Sequence, residues 1–174
     1  MVVRQTALHL ADEIWGCYPF QAVLDYAKNY IIAIQEQSVL EIGCGVGRCI
    51  GSIAKHFPKS NCWGIDYSYQ MLKQAARVWV DKTDINIDLS SKGFPSSLLI
   101  KGYSLRNLQF GLAKANHLPF EDNSQDLVYS SFLLDRLENP QSALIEINRI
   151  LKTPGKLLVI SPLNFRHATH WASC

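Results

Sequence analysis

The chain has 174 residues, of which 48 % are apolar and 18 % are charged, and this composition excludes intrinsic disorder over most of its length. Such a length corresponds to one folded domain and leaves no room for a second of full size. Seventeen Lys and Arg against fifteen Asp and Glu give a net charge of +2, spread evenly along the chain. Because nucleic-acid affinity depends mainly on clustered positive charge, we expect a small-molecule partner and no nucleic acid.

The N-terminal segment and the cysteines bear on the cellular compartment. Arg4 and His9 interrupt the apolar residues of the first ten positions, and no other stretch approaches the roughly 18 apolar residues of a membrane span. The five cysteines include no Cys-x-x-Cys pair, which argues against a disulfide framework and a structural zinc site. We therefore expect a cytoplasmic protein with no membrane partner and no metal site.

Two helices are predicted before residue 38. The first spans about residues 5–15, and the second spans residues 20–34, with apolar side chains at three-four spacing and Pro19 at its first turn. This segment is rich in aromatic residues: Trp15, Tyr18, Phe20, Tyr26 and Tyr30. At helical spacing such residues are more often core than a stacking surface for a flat ligand, so core positions are favoured and the stacking alternative stays open.

Strands and helices alternate from residue 38 to about residue 80. Two short buried strands are predicted, at Ser38–Ile42 and at residues 61–65, and Asp66 ends the second. The helices that follow them each have one apolar face, and Ser68 is typical of an N-cap for the second helix. This alternation predicts right-handed crossover units and a parallel sheet.

Residues 81–106 differ in character from the segments on either side. They are mostly polar and contain Gly93, Pro95 and Gly102, with a brief apolar island at residues 98–100. A connection between a helix and a strand usually spans roughly 2–6 residues, so this stretch is predicted to be an insertion. A lid, an extra hairpin and a mobile loop are the open alternatives.

Three further strands and one helix are predicted after the insertion. The strands lie at residues 108–112, 126–130 and 157–160. Asn139 and Pro140 are typical of a helix cap and first helical residue, and the apolar face of that helix extends to Leu151. Pro154 and Gly155 are expected to break the helix before the last strand.

The sharpest local signal is the sequence Glu-Ile-Gly-Cys-Gly-Val-Gly-Arg at residues 41–48, in which a strand runs into a glycine-rich turn that opens a helix. Glycine lets a ligand approach backbone N–H groups because no Cβ intervenes. The dinucleotide fingerprint G-x-G-x-x-G does not fit, since its last position falls on Arg48 or Ile50. The pattern acidic-x-G-x-G-x-G does fit, and Asp66 follows Gly47 by nineteen residues.

A carboxylate at the end of the second strand lies across the crevice from the glycine turn. There it can accept hydrogen bonds from the two adjacent hydroxyls of a ribose. Taken singly, Glu41 and Asp66 can be ordinary capping or solvated carboxylates. Together with three glycines, they favour a ligand site.

At these residues the sequence resembles the class I S-adenosylmethionine-dependent methyltransferases, especially the broad family of small-molecule methyltransferase domains. The resemblance runs from about residue 39 to residue 162 and rests on four segments: VLEIGCGVGR, GIDYS, LPFEDNSQDLVYSSF and LIEINRILKTPGKLLVIS. It implies an α/β fold, a Rossmann-like three-layer sandwich with a mostly parallel sheet of strand order 3-2-1-4-5. It also implies S-adenosyl-L-methionine as the cofactor and methyl transfer to an unidentified small-molecule acceptor.

The resemblance assigns roles to residues at the first two strand ends. Glu41 would anchor the turn and reach toward the amino-acid end of the cofactor. Asp66 would hold the ribose hydroxyls, and Tyr67 would lie against the adenine. Three glycines would allow the close approach of the cofactor: Gly43, Gly45 and Gly47.

Recognition of the adenine is expected to depart from the family pattern. In the family, a segment like Gly-Asp-Ala before Leu-Pro-Phe offers a carboxylate to the adenine amino group and a backbone N–H to its ring. Here Lys114 stands where the acid is expected, and a lysine cannot accept a hydrogen bond. The amide oxygen of Asn116 would substitute, and the backbone of Ala115 would still serve. We expect weaker or differently arranged adenine contacts.

The tip of the strand at residues 126–130 and the loop after it are the expected place for catalytic residues. Ser130 is a candidate cofactor-binding residue. Asp135 is the candidate base or acceptor-binding group, because it is the only carboxylate of that loop near the strand tip. A surface ion pair or a helix cap is the favoured alternative for Asp135. The Asn/Asp-Pro-Pro-aromatic motif of amino-group methylation and the Pro-Cys dipeptide of cytosine methylation are absent from the loop.

Three segments follow from the resemblance: an N-terminal helical cover at residues 1–37, a methyltransferase-like domain at 38–162 and a tail at 163–174. The antiparallel pair that normally follows the fifth strand is missing, so we expect that strand to be an exposed edge. Either the sequence is a truncated form, or the tail or a second copy of the chain covers the edge, and we expect homo-oligomer formation through it. The alternative to an active enzyme is a catalytically inactive cofactor-binding or regulatory module. Lys114 and the missing strands motivate that alternative.

Overall fold

The computed structural model describes residues 2–11, 18, 20–31, 36–88, 90 and 97–164. In these ranges the helices are α1 (Val2–Leu10), α2 (Gln21–Lys28), α3 (Arg48–His56), α4 (Tyr69–Trp79) and α5 (Pro140–Ile150). The strands are β1 (Ser38–Ile42), β2 (Asn61–Asp66), β3 (Ile85–Asp88), β4 (Ser97–Ile100), β5 (Leu108–Leu112), β6 (Gln125–Ser131) and β7 (Leu151–Ile160). A short 3₁₀ turn lies at Leu134–Arg136.

Five strands of the described ranges form one parallel sheet, in the order β5-β2-β1-β6-β7. Numbered within this sheet alone, the order is 3-2-1-4-5, so the predicted topology is confirmed. The register aligns Ile42 of β1 with Ile65 of β2 and Ser130 of β6. Because the strands are parallel, their carboxyl ends share one edge of the sheet, where ligands bind in open α/β sheets.

The sheet is the middle of three layers because alternate side chains of its strands face opposite sides. Val39 faces an apolar cluster that α3 and α4 cover, in which Ile50 is fully buried. Leu40 and Ile42 face a second cluster on the other side, where Ile147 of α5 is buried. The two faces together bury most of the apolar surface of β1.

Two helices begin with the predicted capping chemistry. The hydroxyl of Ser68 accepts a hydrogen bond from the backbone N–H of Met71 at 3.4 Å at the start of α4. The amide oxygen of Asn139 accepts from the N–H of Ser142 at 3.0 Å, and Pro140 is the first residue of α5. Both caps satisfy backbone donors that have no partner within the helix.

The two N-terminal helices lie on the same side of the sheet as α3 and α4, and both are shorter than predicted. Leu10 of α1 and Leu24 of α2 are buried in the first apolar cluster. Trp15, Pro19 and Ile34 lie outside the described residues. Of the other aromatics, Tyr18 is buried, Phe20 and Tyr30 are partly buried and Tyr26 is half exposed. Within the described ranges, no helix has the length and apolar character that crossing a bilayer requires.

The segment 81–106 contains an antiparallel hairpin of β3 and β4, which corresponds to one of its three alternatives. Ile85 pairs with Ile100, and both side chains are buried against the first apolar cluster. Asp84 fixes the base of the hairpin, because its carboxylate accepts from the N–H of Gly102 at 2.9 Å and from Nζ of Lys101 at 2.8 Å.

The prediction for the last strand was wrong at its start. The helix was expected to extend to Leu151, but α5 ends at Ile150 and β7 begins at Leu151. Gln125 of β6 pairs with Leu151 of β7, and Leu127 pairs with Lys156. The chain therefore advances five residues along β7 where it advances only two along β6, which marks a bulge in β7. Pro154 and Gly155 lie in this irregular stretch, where a residue without a backbone N–H is tolerated inside a strand. No strand follows β7 in the described part of the chain. One edge of β7 pairs with β6, and its other edge pairs with no strand of the described ranges.

Candidate functional site

Two cavities flank the glycine turn at the carboxyl end of the sheet. The first, about 680 Å³, is lined by Asp66 and by the loops after β5 and β6, and we refer to it as the Asp66 cavity. The second, about 360 Å³, lies between the turn and α1, and we refer to it as the His9 cavity. Gly43 and Arg136 line both cavities. The two cavities together have room for a ligand with two chemically distinct ends.

The three glycines of the turn all have positive φ, +76° at Gly43, +55° at Gly45 and +75° at Gly47. They serve different purposes. Nothing lies within 4 Å of the position that a Cβ of Gly45 would take, so this glycine faces open space. A Cβ at Gly47 would lie 2.8 Å from the ring of Phe110, so that glycine is required by packing. Gly45 is therefore the point where a ligand can approach the backbone most closely.

Asp66 connects the glycine turn to the end of β2. Its Oδ2 accepts from the N–H of Gly45 at 2.8 Å, and its Oδ1 accepts from the N–H of Ser68 at 2.7 Å. An ionised carboxylate offers about four acceptor positions, so these two bonds leave capacity for further donors. The side chain is half-buried and lines the Asp66 cavity, where two hydroxyls of a ligand can reach it.

Glu41 is buried at the end of β1 and lines the His9 cavity. Burial raises its pKa to about 8; the N–H of Ile50, which donates to Oε2 at 2.9 Å, opposes this shift, and the negative charge of Asp66 adds to it. Near neutral pH the side chain therefore holds a proton in the absence of a nearby cation. A positively charged group in the cavity would favour its ionised form.

Tyr67, Lys114, Ala115 and Asn116 are brought together with Asp66 in the Asp66 cavity. Tyr67 is 74 % exposed and presents its ring to solvent beside that cavity. Residues 114–117 form a tight turn, in which the N–H of His117 donates to the carbonyl of Lys114 at 3.0 Å. The turn keeps the three candidates 114–116 on one wall.

Ser130 and Asp135 do not line either cavity. The alternation of β6 turns Tyr129 and Ser131 toward the His9 cavity, so Ser130 faces the opposite side of the sheet and is buried. Asp135 is buried in the 3₁₀ turn, where its Oδ1 accepts from the hydroxyl of Ser161 at 3.3 Å. These positions favour structural roles for both residues.

The N-terminal helices contribute two residues that the sequence did not single out, Gln5 and His9, beside two aromatics that it did, Tyr18 and Phe20. His9 lines the His9 cavity together with Gln5 of the same helix, Tyr18 and Phe20. Gln5 and His9 are four positions apart and therefore share a helix face, which is a signal readable from the sequence. Their meeting with Tyr18 depends on the path of the chain between α1 and α2, which local spacing does not give.

The aromatic residue Trp79 supports the glycine turn from α4. Its indole N–H donates to the carbonyl of Val46 at 3.1 Å, and its ring stacks on Tyr103 with centroids 5.1 Å apart. The side chain is 3 % exposed. The buried indole of Trp79 thus stabilises the glycine turn.

In the described part of the chain, no cluster of His, Cys, Asp and Glu side chains could hold a metal ion.

Comparison with known proteins gives one matching family model, described as a methyltransferase domain, over residues 40–159. The chain is 26 % identical over 117 residues to an uncharacterized methyltransferase of Schizosaccharomyces pombe, covering 67 % of this chain and 37 % of that protein. It is 30 % identical over 131 residues to the malonyl-[acyl-carrier protein] O-methyltransferase of a Marinomonas species, covering 75 % of this chain and 39 % of the relative. The chain thus spans well under half the length of these relatives.

Solved structures share the fold. A SAM-dependent methyltransferase from Aquifex aeolicus superposes with a TM-score of 0.59 at 21 % identity, over 91 % of this chain and 70 % of that one. A putative S-adenosyl-L-methionine-dependent methyltransferase from Methanococcus maripaludis gives a TM-score of 0.62 at 19 % identity, over 97 % of this chain and 66 % of the other.

Proposed function

The chain belongs to the methyltransferase domain family, and from this premise we propose that it binds S-adenosyl-L-methionine and transfers its methyl group to a small-molecule acceptor. The observation that carries the proposal is Gly45, which faces open space with the carboxylate of Asp66 bound to its N–H. S-adenosyl-L-methionine is a sulfonium compound, so when it is bound it supplies a methyl group that already carries a good leaving group. The protein has mainly to position the acceptor and exclude water.

The residues around the two cavities fit this cofactor. Asp66 has acceptor capacity left for two ribose hydroxyls, and its cavity has room for an adenosine. On the wall formed by Lys114, Ala115 and Asn116, the amide oxygen of Asn116 would accept from the adenine amino group in place of a carboxylate. Tyr67 would lie against the adenine ring.

The other end of the cofactor would lie at the glycine turn. Glu41 would face the ammonium group, and its raised pKa means that binding of this cation would be linked to loss of a proton from Glu41. Gly43 lines both cavities and would lie beside the path between the two ends. Burial of the β1 tip under α1 and α2 would keep water from the reacting atoms.

The comparisons do not support the alternative of a catalytically inactive module. Lys114, which motivated that alternative, lies on the wall of the Asp66 cavity next to groups that can replace the missing acid. The relatives matched include proteins described as methyltransferases.

Isothermal titration with S-adenosylmethionine and with its demethylated product, S-adenosylhomocysteine, tests the proposal. We expect both to bind the wild type and neither to bind Gly45→Val, because its side chain would occupy the space that the ligand needs. Thermal unfolding of the variant checks that it is folded. Release of S-adenosylhomocysteine in the presence of a panel of acceptors then tests turnover. Wild-type protein that binds neither compound would contradict the proposal.

We also propose that copies of the chain associate through the outer edge of β7. Leu157 and Val159 are each 38 % exposed on this strand, and its outer edge has no partner in the described ranges. An unpaired edge with apolar side chains is a template for pairing with a second chain.

A further inference from the structure

A third cavity, of about 350 Å³, lies between α2 and α3, and we refer to it as the Lys55 cavity. Among the described residues, no Asp or Glu lines it, whereas four basic residues do: Lys28, Arg48, Lys55 and His56. The net charge of the whole chain is only +2. The cavity is therefore a local concentration of positive charge, and the roles proposed above do not use it.

The spacing of residues along α3 brings three of these side chains to one face of the helix. Arg48, Lys55 and His56 occupy positions i, i+7 and i+8, which lie on the same side of an α-helix. Ser52, at position i+4, stands between them and also lines the cavity. Lys28 is the last residue of α2 and lines the cavity from the facing helix. Charges from two elements thus converge on one space.

An aromatic ring orients each of the two cations at the ends of this face. Nζ of Lys55 lies 4.4 Å from the ring centroid of Tyr103, and Cζ of Arg48 lies 4.6 Å from the ring centroid of Tyr18. The Tyr103 ring in turn stacks on the buried ring of Trp79. A ring attracts a cation without cancelling its charge, because the ring itself is neutral. In the described ranges no carboxylate forms an ion pair with Lys55.

The side chains of α2 have one acidic neighbour outside the cavity lining. Oδ1 of Asp25 accepts from Nε2 of Gln21 at 2.7 Å and lies 3.6 Å from Nζ of Lys28. The side chain of Asp25 is 57 % exposed, so solvent screens its attraction for Lys28. An anion in the cavity that carries two charges can therefore draw Lys28 away from this single carboxylate.

These groups determine what kind of ligand the cavity suits. Ammonium and guanidinium groups only donate hydrogen bonds, and the hydroxyl of Ser52 can donate one as well. They approach from two helices, so a ligand needs several acceptor oxygens that point in different directions. A phosphate group carries close to two negative charges near neutral pH and offers three strong acceptor oxygens, whereas a carboxylate has one charge and two oxygens in one plane.

We propose that the Lys55 cavity is a binding site for a phosphate-type anion, which is either an inorganic phosphate or diphosphate or the phosphate group of a larger molecule. Lys28, Lys55 and the guanidinium of Arg48 surround its oxygens, and Ser52 donates to one of them. Arg48 also lines the His9 cavity, so the organic part of a phosphate ester has a path toward that cavity. The proposal does not depend on the methyl transfer proposed above, because none of these residues has been assigned to the cofactor.

Isothermal titration of the wild type with sodium pyrophosphate, in about 0.1 M salt to screen long-range attraction, tests the site. We expect saturable binding of one pyrophosphate per chain. Lys55→Gln, which removes the charge and keeps a polar side chain, should weaken binding at least about fivefold, because it removes a charge-assisted hydrogen bond. The double variant Lys28→Gln/Lys55→Gln should weaken it further. Thermal unfolding without ligand checks that the variants are folded.

Lys73→Gln is the matched control, because it makes the same change in net charge at an exposed position of α4 that does not line the cavity. It should bind pyrophosphate like the wild type. Equal weakening in Lys55→Gln and Lys73→Gln would show that only the overall charge matters and would overturn the proposal. Wild-type protein without saturable binding would overturn it as well.

Two further probes distinguish the sources of the phosphate. Phenyl phosphate and inorganic phosphate are titrated in parallel into the wild type and into Lys55→Gln. Tighter binding of phenyl phosphate, weakened in the variant, supports the phosphate group of a larger molecule. Equal or weaker binding of phenyl phosphate supports a free inorganic anion. Pyrophosphate binding by a protein that does not bind S-adenosylhomocysteine would support the anion site and contradict only the proposed methyl transfer.

Discussion

Asp66 joins two backbone segments of the site, and its replacement tests where the ribose lies. Asp66→Ala should weaken binding of S-adenosylhomocysteine by an order of magnitude or more, because two charge-assisted hydrogen bonds are worth roughly 1.5–3 kcal/mol each before water compensates. Isothermal titration measures the change. Asp88→Ala, at an exposed carboxylate of the hairpin, is the control and should bind like the wild type. Equal affinities for the two variants would contradict the assignment.

Glu41 is expected to reduce stability as the pH rises. Its pKa is about 8 in the folded chain against an ordinary value of 4.5, so the folded state keeps a proton that the unfolded state releases between these values. The contribution of Glu41 to stability is therefore greatest well below pH 4.5 and is lost as the pH rises toward 8, by about 1.4 kcal/mol for each pH unit between the two pKa values.

Glu41→Gln should remove that fall. Relative to the difference between the two proteins at low pH, urea unfolding should find the variant more stable than the wild type at pH 7. This advantage should vanish well below pH 4.5, where Glu41 is protonated in both states. The same variant should bind S-adenosylhomocysteine more weakly, since a neutral amide cannot pair with an ammonium group. A variant with the pH profile of the wild type would show that Glu41 is ionised in the folded chain.

Individual site residues were predictable where a short motif determines the backbone. The turn at Gly43, Gly45 and Gly47 and the carboxylate of Asp66 fall into this class, because neighbours in sequence create their geometry. Ser130 was predicted to bind the cofactor because it lies at the end of β6. Side chains alternate between the two faces of the sheet along this strand, and Ser130 lies on the face away from the His9 cavity. His9 was missed because its partner Tyr18 reaches it only through tertiary packing.

At the scale of elements, one side chain of α5, that of Arg149, holds the loop that contains Leu118 and Phe120. The guanidinium of Arg149 donates to the carbonyls of Leu118 and Phe120 at 3.1 and 2.9 Å and to both carboxylate oxygens of Glu146. Glu146 in turn accepts from the N–H of Leu118 at 2.8 Å. These bonds connect α5 to the chain that leads from the wall of the Asp66 cavity to β6.

Arg149→Ala should therefore lower the free energy of unfolding measured in urea at pH 7, because it removes the hydrogen bonds to Leu118, Phe120 and Glu146 together. The hydrogen bond from Arg149 lowers the pKa of Glu146 from 4.5 to about 2, so the stabilisation is present above pH 4.5 and is lost as the pH falls toward 2. The variant should lose much of its pH dependence in that window. Arg106→Ala, at an exposed arginine in a turn, should change neither stability nor its pH dependence.

The sequence predicts elements well when periodicity and caps agree. The bounds of β1 and β5 and the start of α5 were predicted correctly because apolar runs there end in glycine, polar turns or a cap. The start of β7 was not predicted correctly. Leu151 continues the apolar spacing of α5, and Pro154 is typical of a residue that ends a helix, so the strand was expected to begin only after Gly155. Pairing with β6 overrides both signals, and such long-range pairing has no local signature.

For the whole molecule, association through β7 predicts a concentration-dependent mass. Sedimentation equilibrium should detect dimers at micromolar concentration, and Leu157→Lys should yield monomers, since a charged side chain on an edge strand disfavours edge pairing. Lys73→Ala, at an exposed position of α4, is the control and should leave the dimer intact. A wild-type protein that stays monomeric would contradict the proposed interface.

The bond between Trp79 and Val46 gives the protein an intrinsic optical reporter. Indole emission depends on the hydrogen bond of its nitrogen and on the rings around it, and here that bond ends on the backbone of the glycine turn itself. With the other three tryptophans of the chain replaced by phenylalanine, the fluorescence would come from Trp79 and would report on its contacts with the glycine turn and with Tyr103. Filling or emptying of the crevice could then be timed by stopped flow, with no attached dye.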